Sequence, residues 1–374
     1  MTRPESSKGV APVNARLSKT RGVLPDHLGV TSVTWLWIGL GILVSIPVLL
    51  ALTGLVLYWY LRLKYLRHVH RIFQEKPLFV IPRGQPVPEA EDVEFVTADG
   101  LKLAGCYLKS QPPRKGVILF GVEFGSNRWS CVPYCEALLA NGFDVFSFEF
   151  RSQGDSMPHP GYEPLQWVTH YEVLDVQAAV DYLKARHDAD PTGIGLFGIS
   201  KGGSAGLLAA ARDPYVRCFV TDGIFATFST MVPYMRKWIA IYSQRHFLQA
   251  LLPLWYYGMF GKLALRQISK ARGCRFPHLE RVIAQLAPRP LLMIHGGGDT
   301  YIKPDMAQAL FDLALDPKEF WLVEGAKHNQ AFQLAGDEYK KRLLAFFDKH
   351  VAGQGDPALN GTPVKESIST ATPA

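Results

Sequence analysis

The sequence predicts an α/β protein: a mostly parallel central sheet with helices on both faces, a helical cap insertion, and one membrane-spanning helix ahead of it. Three observations carry this. From about residue 93 to 351, short apolar runs alternate with helical patterns, the rhythm of strand–helix–strand units. Gly198-Ile199-Ser200-Lys201-Gly202 stands between an apolar run, Ile194 to Phe197, and a small-residue helical pattern, Gly203 to Ala211. Val33 to Leu61 holds no charged residue.

Taken in order, residues 1–31 are polar and mixed, the composition of a disordered segment. The helix expected at 32–62 follows. Its roughly 29 uncharged residues reach about 43 Å at 1.5 Å per residue, more than the ~30 Å of a hydrocarbon core. A tilt, or a bend near Pro47, accommodates the excess. Trp35 and Trp37 at one end, and Tyr58, Trp59 and Tyr60 at the other, suit the two interfaces. The run is too long and too far from Met1 for a removed signal peptide. After it come Arg62, Lys64, Arg67, Arg71 and Lys76, against Arg16, Lys19 and Arg21 before it. That bias predicts a single-pass protein whose main domain, after the span, is cytoplasmic. A basic, proline-containing linker is expected over 63–92, the main domain over 93–351 with its cap at about 225–286, and a disordered tail over 352–374.

Within the main domain, Val93 to Leu103 reads as a hairpin turning at Asp99-Gly100. Gly116 to Gly121 and Phe143 to Phe148 read as strands, and Val173 to Arg186 has helical periodicity. Ile194 to Phe197, Cys218 to Thr221, Leu291 to His295 and Phe320 to Val323 read as further strands. The cap region is rich in aromatics and methionine, among them Phe225, Tyr234, Trp238 and Trp255. Such a surface suits an acyl pocket or a bilayer, and also plain packing of cap on core.

A G-x-S-x-G between strand and helix is a turn so sharp that its flanks must be glycine, and it exposes the serine hydroxyl at the top of a sheet. Asp299 and His328 each follow the carboxyl end of a predicted strand, giving the chain order Ser200, Asp299, His328. In such a set the histidine takes the serine proton while the aspartate fixes its tautomer. Asp222 and Asp305 are alternative acids, and His295 is expected to pack beside the site.

With the opening hairpin, the Arg151-to-Ser156 loop and this triad order, residues 93 to 351 resemble the α/β-hydrolase superfamily. The resemblance implies an oxyanion hole made by the backbone N–H groups of Lys201 and Phe124. Where superfamily members usually carry His-Gly, this chain has Val122-Glu123; a backbone donor tolerates the change, and the Glu123 carboxylate is expected to point away. The Lys201 side chain is assigned no catalytic task. The implied activity is cleavage of a carboxylic ester, possibly lipid or acyl, with no cofactor. A serine peptidase, an acyltransferase and a non-catalytic membrane scaffold are the alternatives.

Other classes find little support. The eleven histidines form no H-E-x-x-H, the five cysteines no C-x-x-C, and no phosphate-cradling glycine loop occurs, so neither metal nor nucleotide is expected. Much of the positive charge behind the net +7 flanks the apolar segment, so it suggests lipid headgroups rather than nucleic acid. The expected partners are a small ester or acyl substrate and, through residues 33–61, a bilayer.

Overall fold

The computed structural model describes residues 27–75, 83–242 and 253–352, in two compact units, Met1–Leu63 and Lys64–Ala374. The segments expected to be disordered, 1–31 and 352–374, lie outside the described residues apart from 27–31 and Ala352. Helix α1 (His27–Ile72) contains Pro47 without ending there. Its stretch Val33–Ile72 is long and apolar enough to cross a membrane, and Trp35, Leu36 and Leu49 along it are exposed.

The second unit is built on an eight-stranded sheet: β1 (Glu91–Val96), β2 (Lys102–Leu108), β3 (Gly116–Gly121), β4 (Phe143–Phe148), β5 (Ile194–Ile199), β6 (Val216–Asp222), β7 (Leu291–Gly296) and β8 (Lys318–Val323). They lie in the order β1-β2-β4-β3-β5-β6-β7-β8. β2 is antiparallel to both its neighbours; every other pairing is parallel. The strands β3, β4, β5 and β7 are buried along their whole length. This is why β3 and β5 appear in sequence as unbroken apolar runs: a parallel strand covered on both faces has no solvent side to alternate with. The edge strand β1 does alternate, burying Val93 and Phe95 only. Its turn to β2 passes through Gly100 at φ 84.

The remaining helices are α2 (Cys131–Ala140), α3 (His170–Ala185), α4 (Ser200–Ala210), α5 (Thr227–Tyr242), α6 (Leu254–Ala271), the single turn α7 (Leu279–Val282), α8 (Pro304–Asp312) and α9 (Ala331–Phe347). α5, α6 and α7 all fall between β6 and β7, the connection in which the cap was expected. α3 begins with a capping box, Thr169 with Glu172, which satisfies two of the amides left over at a helix start. One expectation is corrected here. The linker anticipated from residue 63 is at first helical: α1 continues to Ile72, and Leu66, Val69, Ile72 and Phe73 are buried within the second unit while Leu63, Lys64 and Tyr65 are exposed. Lys64, Arg67 and Arg71 are exposed at other positions of the helical turns, so the basic composition hid an amphipathic stripe.

Candidate active site

The strand β5 ends at Ile199 and α4 begins at Ser200, whose φ of 48 places it in the left-handed region. That conformation is costly for a residue with a Cβ, and persists only where the surroundings enforce it. They do so here by close packing. A Cβ on Gly202 would meet the Val122 carbonyl oxygen at 2.3 Å, and one on Gly198 the Gly203 Cα at 2.3 Å. The first turn of α4 therefore lies directly against the end of β3, and only glycine allows that approach.

The three side chains predicted from chain order converge. Ser200 Oγ lies 3.1 Å from His328 Nε2, and His328 Nδ1 lies 2.6 Å from Asp299 Oδ2. Asp299 is itself held, since its Oδ1 accepts the Tyr301 and Ile302 amides at 2.7 and 3.0 Å. Both alternative acids lie elsewhere. Asp305 is exposed and accepts the Met306 amide from the first turn of α8. Asp222 is buried and accepts from the Tyr339 hydroxyl at 3.0 Å; burial pushes its carboxyl up to about 7. His295 packs beside the triad, 2.8 Å from the Ile302 carbonyl and 3.7 Å from Asp299.

Of the two expected oxyanion donors, Lys201 directly follows Ser200 and Phe124 lines the pocket that Ser200 also lines. Lys201 is the second residue of α4, so its N–H has no intrahelical acceptor. Phe124 follows the β3 terminus that packs on that turn, and its side chain lines a pocket together with Ser200, His328, Gln166, Trp167 and Tyr234. Gly125, next along, donates to Gln153 Oε1 at 2.9 Å, tying this loop to the one after β4. Arg151 in that second loop is fully buried, pairing with Asp175 and Asp99 at 2.6 and 2.7 Å. Asp155 pairs with Arg128.

Two features escaped the residue patterns. Lys201 Nζ is buried and donates to the Leu165 carbonyl at 2.6 Å and to Glu172 at 2.9 Å. Its charge thus fastens the segment carrying Gln166 and Trp167, a structural task that a lone lysine at a helix start does not advertise. The second is Glu123, expected to point away. It is buried, its Oε2 accepting from Asn329 Nδ2, and it does not line the pocket. The partner is 206 residues distant, so no local pattern could announce the contact.

Burial pushes the Glu123 carboxyl up to about 7, against the lowering pull of Asn329 and His328. Its ordinary value is 4.5, so the folded chain holds the proton more tightly than the unfolded one. The resulting stability is present in full below about pH 4.5 and is lost as pH rises through about 7, on the order of 3 kcal/mol in all. Glu123→Gln keeps an acceptor for Asn329 and abolishes the titration. Its unfolding midpoint is expected to fall less than that of wild type between pH 5 and pH 8; equal slopes would remove Glu123 as the cause.

Sheet order, elbow and the convergence of these side chains at the carboxyl ends of β5, β7 and β8 are those of the α/β-hydrolase fold. A family profile described as the alpha/beta hydrolase fold matches residues 119–255. Protein YfhR of Escherichia coli is 28% identical over 267 residues, covering 69% of this chain and 80% of that protein. The thiohydrolase aneE of Aspergillus aculeatus is 34% identical over 149 residues, 38% of this chain and 45% of its own. Among solved structures, an esterase of Pyrococcus furiosus superposes with a TM-score of 0.55 at 24% identity, over 74% of this chain and 99% of that one.

Proposed function

We propose that this protein is a membrane-anchored serine hydrolase that cleaves carboxylic esters with a lipid-like acyl group. The observation that carries the reading is the relay Ser200 Oγ–His328 Nε2–Asp299, at 3.1 and 2.6 Å, opening on a pocket walled by Phe124, Trp167, Phe225 and Tyr234. Ser200 attacks the carbonyl carbon as His328 accepts its proton. The Lys201 and Phe124 amides stabilise the tetrahedral oxyanion. His328 then gives the proton to the leaving alcohol, leaving an acyl-enzyme that a water, deprotonated in turn by His328, hydrolyses. Asp299 keeps the imidazole proton on Nδ1 throughout.

The aromatic walls favour an apolar acyl chain, and helix α1 keeps the enzyme beside a supply of such chains. The basic run after the apolar segment holds the catalytic domain on the cytoplasmic side. In sealed, right-side-out vesicles the carboxyl-terminal tail is then protected from added protease; its cleavage there would reverse the orientation.

The test is labelling by a fluorophosphonate probe, followed by a panel of esters of graded chain length. Peptide amides belong in it, because amide and ester cleavage need the same groups. Thioesters belong too, given the thiohydrolase relative. Wild type is expected to label and Ser200→Ala to remain blank. A folded wild type that never labels would favour the scaffold reading, and faster turnover of peptide amides the peptidase.

A further inference from the structure

The pocket wall has a backing that belongs to neither the sheet nor the cap. Trp167 and Tyr234 both line the pocket, and both rest on Phe73, the residue immediately after α1. Their ring centroids lie 5.4 and 6.2 Å from that of Phe73. The Trp167 indole N–H also donates to the Phe73 carbonyl at 3.1 Å. Trp167 and Tyr234 meet edge to face at 5.2 Å, and Gln166 Nε2 donates to the Tyr234 hydroxyl at 2.8 Å. Phe73 is wholly buried. The segment around it is also held by Arg272, the residue immediately after α6, which donates to Gln74 Oε1 at 3.0 and 2.8 Å and to the Glu163 carbonyl at 2.6 Å.

From this we infer that Phe73 is a specificity-determining residue, the floor behind the aromatic wall, whose bulk limits the length of acyl chain that the pocket accepts. The inference rests on the ester-hydrolase reading for its substrate class. The physical argument is one of volume. Trp167 and Tyr234 are held in place by ring contact on one side and face the pocket on the other, and close-packed rings cannot retreat without vacant space behind them. Truncating Phe73 supplies that space beyond the two rings. Each further methylene of substrate then buried raises kcat/KM by about fourfold. The residue reaches no reacting atom, so its effect falls on length selectivity rather than on the chemical step.

The experiment compares the full-length protein in nanodiscs as wild type, Phe73→Ala, Phe73→Leu and Gln74→Ala. A homologous series of p-nitrophenyl esters gives the ratio of kcat/KM for long over short chains. Phe73→Ala is expected to raise that ratio at least tenfold, Phe73→Leu by less, while labelling by a small fluorophosphonate stays within a few-fold of wild type. Gln74→Ala loosens the same segment without opening space behind the rings, and its ratio is expected to stay put. If Phe73→Ala and Gln74→Ala lower every ester in the same proportion, Phe73 merely supports the fold and the proposal is wrong. Should Phe73→Ala not fold, an unchanged ratio in Phe73→Leu decides against it equally. Quenching of tryptophan fluorescence by straight-chain fatty acids of graded length reports the pocket without turnover. A wild type that neither labels nor hydrolyses would therefore sink the hydrolase reading alone. The floor would then stand or fall on whether Phe73→Ala tightens binding of the longer acids relative to the shorter.

Discussion

Ser200→Ala and His328→Ala are each expected to lower kcat on the best ester by about 10⁶-fold, and the double variant to lose scarcely more. The reason is that neither group works alone. An uncharged serine hydroxyl is a poor nucleophile until Nε2, 3.1 Å away, can take its proton, and an imidazole with no serine beside it has nothing to activate. On the proposed mechanism, a residual rate roughly 10³- to 10⁴-fold above that in water is expected from the Lys201 and Phe124 amides and from substrate binding. Steady-state kinetics on the three variants, with circular dichroism to verify folding, tests this. Losses that multiply in the double variant would mean that the two side chains act in separate steps.

The second large effect is expected from Asp299→Asn, a loss of about 10⁴-fold in kcat with the fold intact. An asparagine can keep its Oδ1 on the Tyr301 and Ile302 amides, the bonds that orient the present carboxylate. Its Nδ2 then faces His328 Nδ1 as a donor. The imidazole must answer with a lone pair on Nδ1 and carry its proton on Nε2. The atom facing Ser200 would become a donor and could no longer accept the serine proton. Retention of activity within tenfold would mean that Asp299 is not the acid, and would send the search to Asp222, buried at the end of β6.

Much of this fold is legible in the residue order because its information is local. The strands β3 and β5 stand out since burial on both faces demands uninterrupted apolar residues. The elbow stands out since Gly198 and Gly202 are demanded by contacts that a Cβ would occupy. The histidine is identifiable because it follows the last strand of an alternating series. What stayed hidden depends on partners far along the chain. The burial of Glu123 could not be read locally, because the Asn329 that bonds it is contributed by the distant loop that carries His328. Lys201 looked idle because Glu172 belongs to another helix. Residues 64–73 looked like linker because their basic residues dominate the composition, while the buried stripe of Leu66, Val69 and Ile72 has meaning only once a surface exists to cover it.

The residue order by itself therefore determined the class of fold, the apolar helix ahead of it, and the identity and succession of Ser200, Asp299 and His328. Hydrophobic periodicity and the steric demands of a tight turn act between near neighbours, and are written in near neighbours. Only the folded chain decided that Lys201 bonds Leu165 and Glu172, that the Glu123 carboxyl lies buried against Asn329, and that Phe73 backs Trp167 and Tyr234. Each of these is a contact between segments brought together by the sheet, and the energy of burying a charge or a ring is defined only when its surroundings are complete.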